Sequence, residues 1–346
     1  MLKAVKRLSL SALESAGVFA LTRESKWRRR RLLVLCYHGI ARDDEHLWRP
    51  ALRMERSIFA SRMNELADGG YTVLQLSEAL TRLYNETLPP RSVALTFDDG
   101  ELGFYREAYP VLKSLGFPVT VYLTTYYCHH QFPVFHNICS YLLWKSRHKT
   151  SVAIDVMGCS LVLDLRTDRS REEATTAISQ YAERKGMSVV EKNRFAEQLA
   201  AALDQDYADL LARRMLQLMN PSEVSELAQA GVDFQLHTHR HRSPLDESLY
   251  KQEIRDNRIA LERMVDIKPR HFCYPSGVYR AEFEPWLTDE DVVSATTCEP
   301  GLASIHSRPL SIPRLVDVSS LSAIEFRGWL TGVSALLPRR KLPTPE

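Results

Sequence analysis

The sequence predicts an α/β protein folded as a distorted (β/α) barrel of seven to eight strands, with a mainly helical insertion. Three observations lead to this prediction. Short apolar runs alternate with helical patterns along most of the 346 residues, hairpin signals between them are missing, and several runs stop abruptly at polar residues. Strands that alternate with helices form parallel sheets, and about eight of them suffice to close a barrel.

The elements follow this alternation along the chain. The strands are predicted at 32–39, 71–76, 92–100, 118–125, 232–236, 270–275, 292–297 and 311–318. Helices are predicted at 56–69, 77–84, 104–115, 221–231 and beyond Pro244. In a barrel of this kind, the chemistry takes place at the carboxyl ends of the strands.

The alternation of strands and helices is interrupted between residues 128 and 219. This stretch contains a helix with several aromatic residues, a β-like pair and charged helices. We interpret this stretch as an insertion subdomain. The predicted organisation is a lead-in at 1–31, a barrel at 32–127 and 220–318, the insertion at 128–219, and a C-terminal helix and tail at 319–346.

The lead-in is both amphipathic and basic. Met1 to Leu21 is interpreted as one helix that is not cleaved, because Glu14 interrupts its apolar residues and no cleavage pattern follows. The basic run Lys26–Arg31 would rest on an anionic membrane surface or form a solvated lead-in to the first strand. The sequence therefore predicts a cytoplasmic protein, with a peripheral contact through residues 1–31 at the inner face of the membrane as an open alternative.

Composition excludes some classes of protein. The formal net charge is only +2, and aromatic residues do not alternate with a basic stripe, so nucleic acid is set aside as a partner. The six cysteines contain no CxxC pair, which is typical of reduced thiols in the cytosol. No stretch approaches the about 20 apolar residues that span a bilayer. The oligomeric state is left open.

The strand at 92–100 ends in Asp98, Asp99 and Gly100. Neighbouring side chains in a strand point to opposite faces, so the two carboxylates share a cavity only if the chain turns there. Gly100 allows such a turn, because it lacks a Cβ atom. Adjacent carboxylates repel each other unless a cation or separate partners neutralise them. The tripeptide alone is more typical of a solvated turn than of an active site.

Histidines follow another strand and change this interpretation. His237 and His241 lie four residues apart, a spacing that places both on one face in a helical turn or an extended segment. His239 shares the face only if the segment is extended. Two imidazoles and one carboxylate leave coordination positions open, as a catalytic metal requires. A carboxylate that is not a ligand could then accept a proton from water.

The sequences Thr96–Gly100 and His237–His241 together resemble the first two motifs of the polysaccharide deacetylases, the NodB-homology family (carbohydrate esterase family 4). The resemblance covers residues 32–127 and 220–318 and leaves the insertion outside. It implies a distorted barrel of about seven strands, with Asp98 as the general base. It further implies that Asp99, His237 and His241 bind a divalent metal, with zinc as the expected ion.

A third motif of the family is present in altered form at 270–277. Cys273 stands where the family has an arginine that orients the base, and we predict that Arg314 replaces this arginine. A backbone N–H near Ser276 is expected to stabilise the oxyanion. Tyr274 either lines the pocket or packs in the barrel.

The general acid is predicted at the first strand. The family's usual C-terminal histidine is absent, whereas the segment Leu35–His38 resembles the permuted branch that includes poly-N-acetylglucosamine deacetylases. This resemblance implies that His38 protonates the leaving amine. The alternative is a core histidine bonded to a backbone group.

The resemblance predicts a metal-dependent hydrolase that removes N-acetyl groups from an N-acetylhexosamine-containing polysaccharide or glycan precursor. Three alternatives remain open. The chain could hydrolyse a non-glycan amide, bind glycans without catalysis after losing the usual arginine, or act as a scaffold at the membrane.

Overall fold

The computed structural model describes residues 2–337. The chain forms two compact units, of which the first contains the chain up to Thr125 and from Pro221 onward, and the second is Tyr126–Asn220. Met1 and the end of the predicted C-terminal tail, residues 338–346, lie outside the described residues.

Short strands and helices alternate through most of the chain. The strands are β1 (Leu33–Tyr37), β2 (Gly39–Ile40), β3 (Arg53–Met54), β4 (Thr72–Leu74), β5 (Ser92–Asp99), β6 (Thr120–Leu123), β7 (Ser151–Val156), β8 (Cys159–Asp164), β9 (Asp233–Leu236), β10 (His271–Cys273), β11 (Ser294–Thr296) and β12 (Leu315–Val316). The α-helices are α1 (Leu2–Ser15), α2 (Val18–Glu24), α3 (Lys26–Arg29), α4 (Glu45–Trp48), α5 (Arg56–Asp68), α6 (Leu76–Tyr84), α7 (Tyr109–Leu115), α8 (Tyr126–His130), α9 (Phe135–Lys145), α10 (Asp168–Arg184), α11 (Val189–Ala202), α12 (Tyr207–Ala212), α13 (Pro221–Gln229), α14 (Glu247–Glu262), α15 (Phe283–Asp289), α16 (Ala323–Thr331) and α17 (Val333–Leu336). A π-helical turn occupies Phe104–Ala108, and 3-10 turns occupy Pro275–Gly277 and Pro309–Ser311.

The first unit is built on a parallel sheet with the strand order β11-β10-β9-β6-β5-β1-β12. β4 pairs with the beginning of β5, on the edge that β6 uses further along. Ile312, just before β12, bridges in parallel to Thr296 of β11, and its amide donates a hydrogen bond to the Ala295 carbonyl at 2.8 Å. This segment therefore closes the sheet, and the predicted distorted barrel is confirmed.

The interior of the barrel changes from apolar to polar along the strands. Val34 of β1 and Ala94 of β5 are register partners, and both belong to an apolar cluster that also includes α6. Two residues further along lie Cys36 and Thr96, again as partners. Because side chains alternate, the same face of β5 then presents Asp98. The polar end of the interior is thus the carboxyl end of the strands.

The second unit has its own hydrophobic core. β7 and β8 form an antiparallel hairpin, and helices α9 to α12 accompany it. The side chains buried in this unit include Cys139, Leu142, Ile178, Phe195 and Leu199. A separate core of this kind explains why the segment is compact by itself.

The stretch from Met1 to Leu21, predicted as one helix, is divided between two helices in the structure, α1 and the beginning of α2. α1 ends at Ser15, and Gly17 adopts a φ of 76° before α2 begins. This left-handed conformation suits glycine and interrupts helical geometry, which is the reason for the break. Across residues 2–337, no helix has the length and apolarity needed to cross a membrane.

The basic run after α2 is partly structural. Arg28 is fully buried, and its guanidinium donates hydrogen bonds to the backbone carbonyls of Leu330, Arg31 and Ser92. Burial lowers the pKa of Arg28 to about 10. The prediction that the whole run lies on a surface is therefore wrong for Arg28, which connects the lead-in to α16 and the barrel.

Glu325 ties α1 to α16. Its carboxylate accepts hydrogen bonds from the amide and hydroxyl of Ser322 at the start of α16, and it pairs with Lys6 and Arg7 of α1 at 3.1 and 3.2 Å. Burial acts to raise the pKa of Glu325, but the Ser322 hydrogen bonds and the two cations lower it to about 2.

We expect Glu325 to stabilise the fold in a pH-dependent way. Its pKa is lower in the folded chain than in the unfolded one, so its stabilisation is complete above the unfolded value and is lost as the pH falls toward 2. The wild type should exceed Glu325→Gln by about 3 kcal/mol at pH 7 and by less than half of that at pH 3. Denaturant unfolding of both proteins at both pH values measures this, and a constant difference would contradict it.

Candidate active site

The carboxyl end of β5 carries Asp98 and Asp99. Asp99 has a φ of 71° and Gly100 a φ of 85°. The turn expected at Gly100 therefore begins one residue earlier, at Asp99 itself. A left-handed aspartate is strained, and such residues cluster at functional sites. The turn releases Asp99 from the strict alternation of the strand.

Asp99 lies against the two predicted histidines. Its Oδ1 atom is 3.2 Å from Nε2 of His237 and 3.2 Å from Nε2 of His241. This oxygen is buried and has no well-aligned hydrogen-bond donor among residues 2–337. Burial acts to raise the pKa of Asp99, but the two imidazoles hold it well below its usual value. The orphaned oxygen and the two ring nitrogens form a donor set that fits a divalent cation.

The orientation of His237 is fixed by its neighbours. Its Nδ1 lies 2.9 Å from the carbonyl of Cys273, which accepts a hydrogen bond from the ring and leaves Nε2 available to bind a metal. The His237 amide donates to Oδ1 of Asn257, which is itself fully buried. The Asn257 side chain in turn donates to the Leu123 carbonyl and to Thr125. Asn257 therefore holds the end of β9 to the end of β6.

We expect Asn257→Ala to weaken metal binding by about 10–100-fold, because the support behind the ligand His237 is lost. Isothermal titration with zinc, on protein first stripped by a chelator, measures the affinity. Asn64→Ala is the matched control, because Asn64 is exposed on α5. Equal affinities of Asn257→Ala and wild type would contradict this role.

The segment between the two histidines is a turn. Thr238 and His241 have φ values of 60° and 55°. The segment is neither extended nor helical, so the condition that would place His239 on the same face is not met. The His239 ring instead lies 2.8 Å from the Thr125 hydroxyl, through Nδ1.

Asp98 is held by Arg314. Two parallel hydrogen bonds, 2.7 and 2.8 Å long, join the guanidinium to both carboxylate oxygens, and both residues are almost completely buried. Arg314 also donates to the Thr96 hydroxyl and the Thr297 carbonyl. Burial acts to raise the pKa of Asp98, but the charge and hydrogen bonds of Arg314 hold it well below its usual value. Asp98 is therefore an ionised carboxylate that lies outside the donor set around Asp99.

Three thiols surround this ion pair, two of which the sequence did not indicate as neighbours of Asp98. The Sγ atoms of Cys36 and Cys273 lie 3.5 and 3.4 Å from Asp98 Oδ2. Cys273 also accepts a hydrogen bond of 3.0 Å from Arg314, and Cys298 lies 3.8 Å from the same nitrogen. Burial raises the pKa of Cys36 and Cys273, which keeps both protonated as donors to the carboxylate.

His38 lies at the end of β1, with Nε2 3.8 Å from Asp98 Oδ2. Its side chain is 16% exposed, which makes it more accessible than Asp98. Burial lowers the pKa of His38, while the charges of Asp98 and Asp99 oppose this effect. The predicted acid and the predicted base are thus neighbours at one rim.

The structure places the two residues of the altered third motif differently. Tyr274 is buried, its hydroxyl donates to the Leu310 carbonyl, and its ring contacts other aromatic rings. Of the two alternatives for Tyr274, the packing position is the one observed. Ser276 is exposed with a φ of 55°, and its amide lies in the first turn that begins at Pro275, where a 3-10 helix offers it no acceptor.

Glu101 is a further residue near Asp99, and no sequence pattern selects it beyond its position after Gly100. It forms a short ion pair with Arg53. Burial and the nearby Asp99 raise the pKa of Glu101 to about 7, although Arg53 opposes this. A Cβ atom on Gly39 would lie 2.1 Å from a Glu101 oxygen, so a larger residue at this position would force the Glu101 side chain to move. Glu101 therefore fastens the segment after β1 to the rim of the site.

The fold and the site define a class of protein: a (β/α)-barrel with three candidate metal ligands and a separate buried carboxylate at the carboxyl ends of its strands. The family model described as Polysaccharide deacetylase matches residues 85–152 and 169–289. The chain belongs to the polysaccharide deacetylase family, as its motifs predicted. Deacetylases of this family are metal-dependent, which agrees with the donor set around Asp99.

The match also corrects one expectation. It runs through most of residues 128–219, which were expected to lie outside the resemblance. That expectation rested on the catalytic motifs alone, and these lie on either side of the segment.

Individual relatives agree with the family. The Bacillus subtilis (strain 168) protein YxkH, which is named as a polysaccharide deacetylase, is 35% identical over 94 residues. This segment is 27% of the present chain and 32% of YxkH, so the chain spans about a third of this relative's length.

Solved structures share the fold. The Streptococcus pyogenes deacetylase PplD in complex with acetate is 18% identical, with a TM-score of 0.57 over 89% of this chain and 99% of that one. IcaB from Ammonifex degensii is 17% identical, with a TM-score of 0.52 over 87% of this chain and 97% of that one. At these identities the similarity is one of fold.

Proposed function

We propose that this chain is a metal-dependent hydrolase that removes N-acetyl groups from an N-acetylhexosamine-containing polysaccharide or glycan precursor. The observation that carries this proposal is that two adjacent aspartates have different partners. Asp99 belongs to a donor set with two histidines, while Asp98 is ionised and tied to Arg314. Family membership supports deacetylation as the reaction.

The chain's own residues fit the roles of this hydrolysis. Asp99, His237 and His241 would hold the cation, for which we propose zinc because imidazole and carboxylate are among its usual ligands. A cation there would polarise the amide carbonyl and lower the pKa of water. Asp98 accepts the proton of the water that attacks the carbonyl carbon. The C–N bond then breaks, and His38 gives a proton to the leaving amine.

Two further residues complete the proposed site. The amide of Ser276 is a donor for the oxyanion that forms on the carbonyl oxygen. Arg314 keeps Asp98 ionised and orients both of its oxygens. The alternative of a glycan-binding protein without catalysis rested on the missing arginine at Cys273, and Arg314 supplies a guanidinium to the base from the segment just before β12.

The test is release of acetate. Protein stripped of metal and reloaded with zinc is incubated with chitooligosaccharides, poly-N-acetylglucosamine and lipid-linked aminosugars, with simple N-acyl amides as a second panel. We expect acetate from a glycan, none from the stripped protein, and at least about 100-fold slower release from Asp98→Asn. Turnover only in the second panel would favour an amidase, and glycan binding without turnover or bound metal would favour a binding protein.

We also propose a cytoplasmic location with peripheral contact at the inner face of the membrane. Residues 1–31 hold nine lysines and arginines against two glutamates, and Lys26, Arg29 and Arg30 are exposed. Reversing these three charges to glutamate should reduce co-sedimentation with anionic liposomes. The matched control reverses the exposed residues Arg166, Arg169 and Lys185. Equal loss in both variants would count against a specific contact.

A further inference from the structure

A second group of metal-ligating atoms lies beside the donor set around Asp99. Cys36 Sγ, His38 Nε2 and an Asp98 oxygen all lie within 4.8 Å of one another. Cys36 and His38 come from β1 and its end, and Asp98 comes from the neighbouring β5. Cys36 and His38 point to the same face because they are two residues apart, and the parallel pairing of β1 with β5 brings Asp98 beside them.

The distances suit a tetrahedral ion. For zinc, ligand distances of about 2.0–2.3 Å give a sulfur–oxygen separation of about 3.6 Å and a nitrogen–oxygen separation of about 3.4 Å. The observed separations from Asp98 Oδ2 are 3.5 Å to Cys36 Sγ and 3.8 Å to His38 Nε2. Both separations from Asp98 are therefore within about 0.4 Å of the tetrahedral values, and Cys36 Sγ and His38 Nε2 lie within 4.8 Å of each other.

The ion would replace contacts that Asp98 Oδ2 makes at present. This oxygen accepts a hydrogen bond of 2.8 Å from Arg314, and the thiols of Cys36 and Cys273 lie 3.5 and 3.4 Å from it. Cys36 would exchange its S–H contact for the bond to the ion, and the Cys273 thiol would turn its hydrogen away so that a lone pair of the oxygen becomes available. A neighbouring group, Asp98, His237 and Cys273, is also close enough to bind a cation. Its thiol, however, already accepts from Arg314 at 3.0 Å, and the Nε2 of His237 faces Asp99. The group with Cys36 is therefore the better site.

We propose that Cys36, His38 and Asp98 form a second cation site, which takes a soft divalent ion such as Zn²⁺ or Cd²⁺ and inhibits the enzyme when occupied. As the sulfur–metal bond forms, the Cys36 thiol releases its proton to solvent, while His38 and Asp98 each contribute a lone pair. A thiolate selects zinc or cadmium over magnesium or calcium. The inhibition rests on the proposed function, since the ion would occupy both the base and the acid.

The second ion binds more weakly than the first. It must displace the proton of a buried thiol, and the positive charge of Arg314 lies close to it. The ligands around Asp99 need no thiol deprotonation. Low concentrations of zinc should therefore fill the first site and activate, whereas an excess should fill the second and inhibit.

Cadmium reports on the second site directly, because a cadmium–thiolate bond absorbs in the ultraviolet and the first site contains no thiol. Cd²⁺ is added to the full chain preloaded with one equivalent of zinc, and bound metal is counted by mass spectrometry. The wild type should gain one further equivalent together with the thiolate absorbance. Cys36→Ala should lose the absorbance, and the control variants Cys273→Ala and Cys298→Ala should keep it.

The outcomes that overturn the proposal are equally definite. They are no thiolate absorbance in the wild type, an absorbance that survives in Cys36→Ala, or one that disappears in Cys273→Ala. If circular dichroism shows that Cys36→Ala does not fold, X-ray absorption at the cadmium edge of the wild-type protein identifies the ligands of the bound cadmium instead. One sulfur ligand together with nitrogen and oxygen supports the site, and a cadmium without sulfur refutes it.

The inhibition is tested separately, with each protein compared against itself with and without Cd²⁺. At a free Cd²⁺ concentration about ten times its dissociation constant, the wild-type rate should fall about tenfold. The rate of Cys36→Ala should stay nearly constant under the same conditions. Thiolate absorbance without inhibition would refute the inhibitory role. If no substrate releases acetate, the proposed function fails while the cadmium titration still decides the site.

Discussion

Arg314→Met is expected to destabilise the barrel by about 3–5 kcal/mol, because it leaves the buried carboxylate of Asp98 without its countercharge. Arg314 is fully buried and makes two hydrogen bonds to Asp98, so water does not replace it readily. The same variant should also lose activity, since the proposed base is no longer held ionised. The midpoint of denaturant unfolding measures the first effect, and acetate release under native conditions measures the second.

Two further variants separate this pair from a general loss of packing. Removing both charges in Asp98→Asn with Arg314→Met should recover part of the lost stability, because no buried charge is then unpaired. Arg169→Met is the matched surface control, and its effect should stay within about 0.5 kcal/mol. If the double variant is as unstable as the sum of its two single variants, the pairing is not the source of the effect.

Asp98→Asn and Asp99→Asn are expected to fail for different reasons. Asp98→Asn should lower kcat by about 10²–10⁴-fold, the contribution typical of a general base, while the protein keeps its metal. Asp99→Asn should lose metal, because its carboxylate faces both histidines. Metal content per chain and the rate on the same substrate are measured for each variant.

The two variants should differ in their metal content and in their response to added zinc. Supplementing the assay with zinc should partly restore Asp99→Asn, whose defect is one of affinity, and leave Asp98→Asn unchanged. Loss of metal in Asp98→Asn, or normal metal content in Asp99→Asn, would reverse the proposed assignment of the two aspartates.

The barrel was predictable because its strands have a local signature. Each predicted barrel strand is an apolar run of a few residues with a helical pattern behind it, and eight such runs correspond to strands of the sheet. The break at Gly17 was also visible in principle, because a glycine between two short helical patterns is a common point of interruption.

The contacts within the site were harder to predict, since they join residues far apart in the chain. Arg314 and Asp98 are 216 residues apart, and only closure of the sheet brings them together. One detail could have been deduced from the alternation of side chains along a strand. If Cys273 points into the barrel, then Tyr274, the next residue, points away from the interior. The same rule places Cys36 on the face that His38 occupies.

The left-handed conformation of Asp99 could not have been deduced in this way. Aspartate adopts it at a cost, and the sequence offered Gly100 as the obvious place to turn. Backbone strain of this kind is set by the surrounding site, which no local pattern encodes.

Closure of the barrel has a consequence for how the enzyme matures during synthesis. The segment that completes the sheet, Ile312 to Arg314, also carries the countercharge of the base. Asp98 leaves the ribosome long before this segment does, so its carboxylate has no guanidinium partner from Arg314 while most of the chain is being made. A nascent chain that ends before β12 should therefore have no deacetylase activity. A released chain should become active only when the segment Ile312 to Arg314 joins the sheet, which is also the step that closes the barrel.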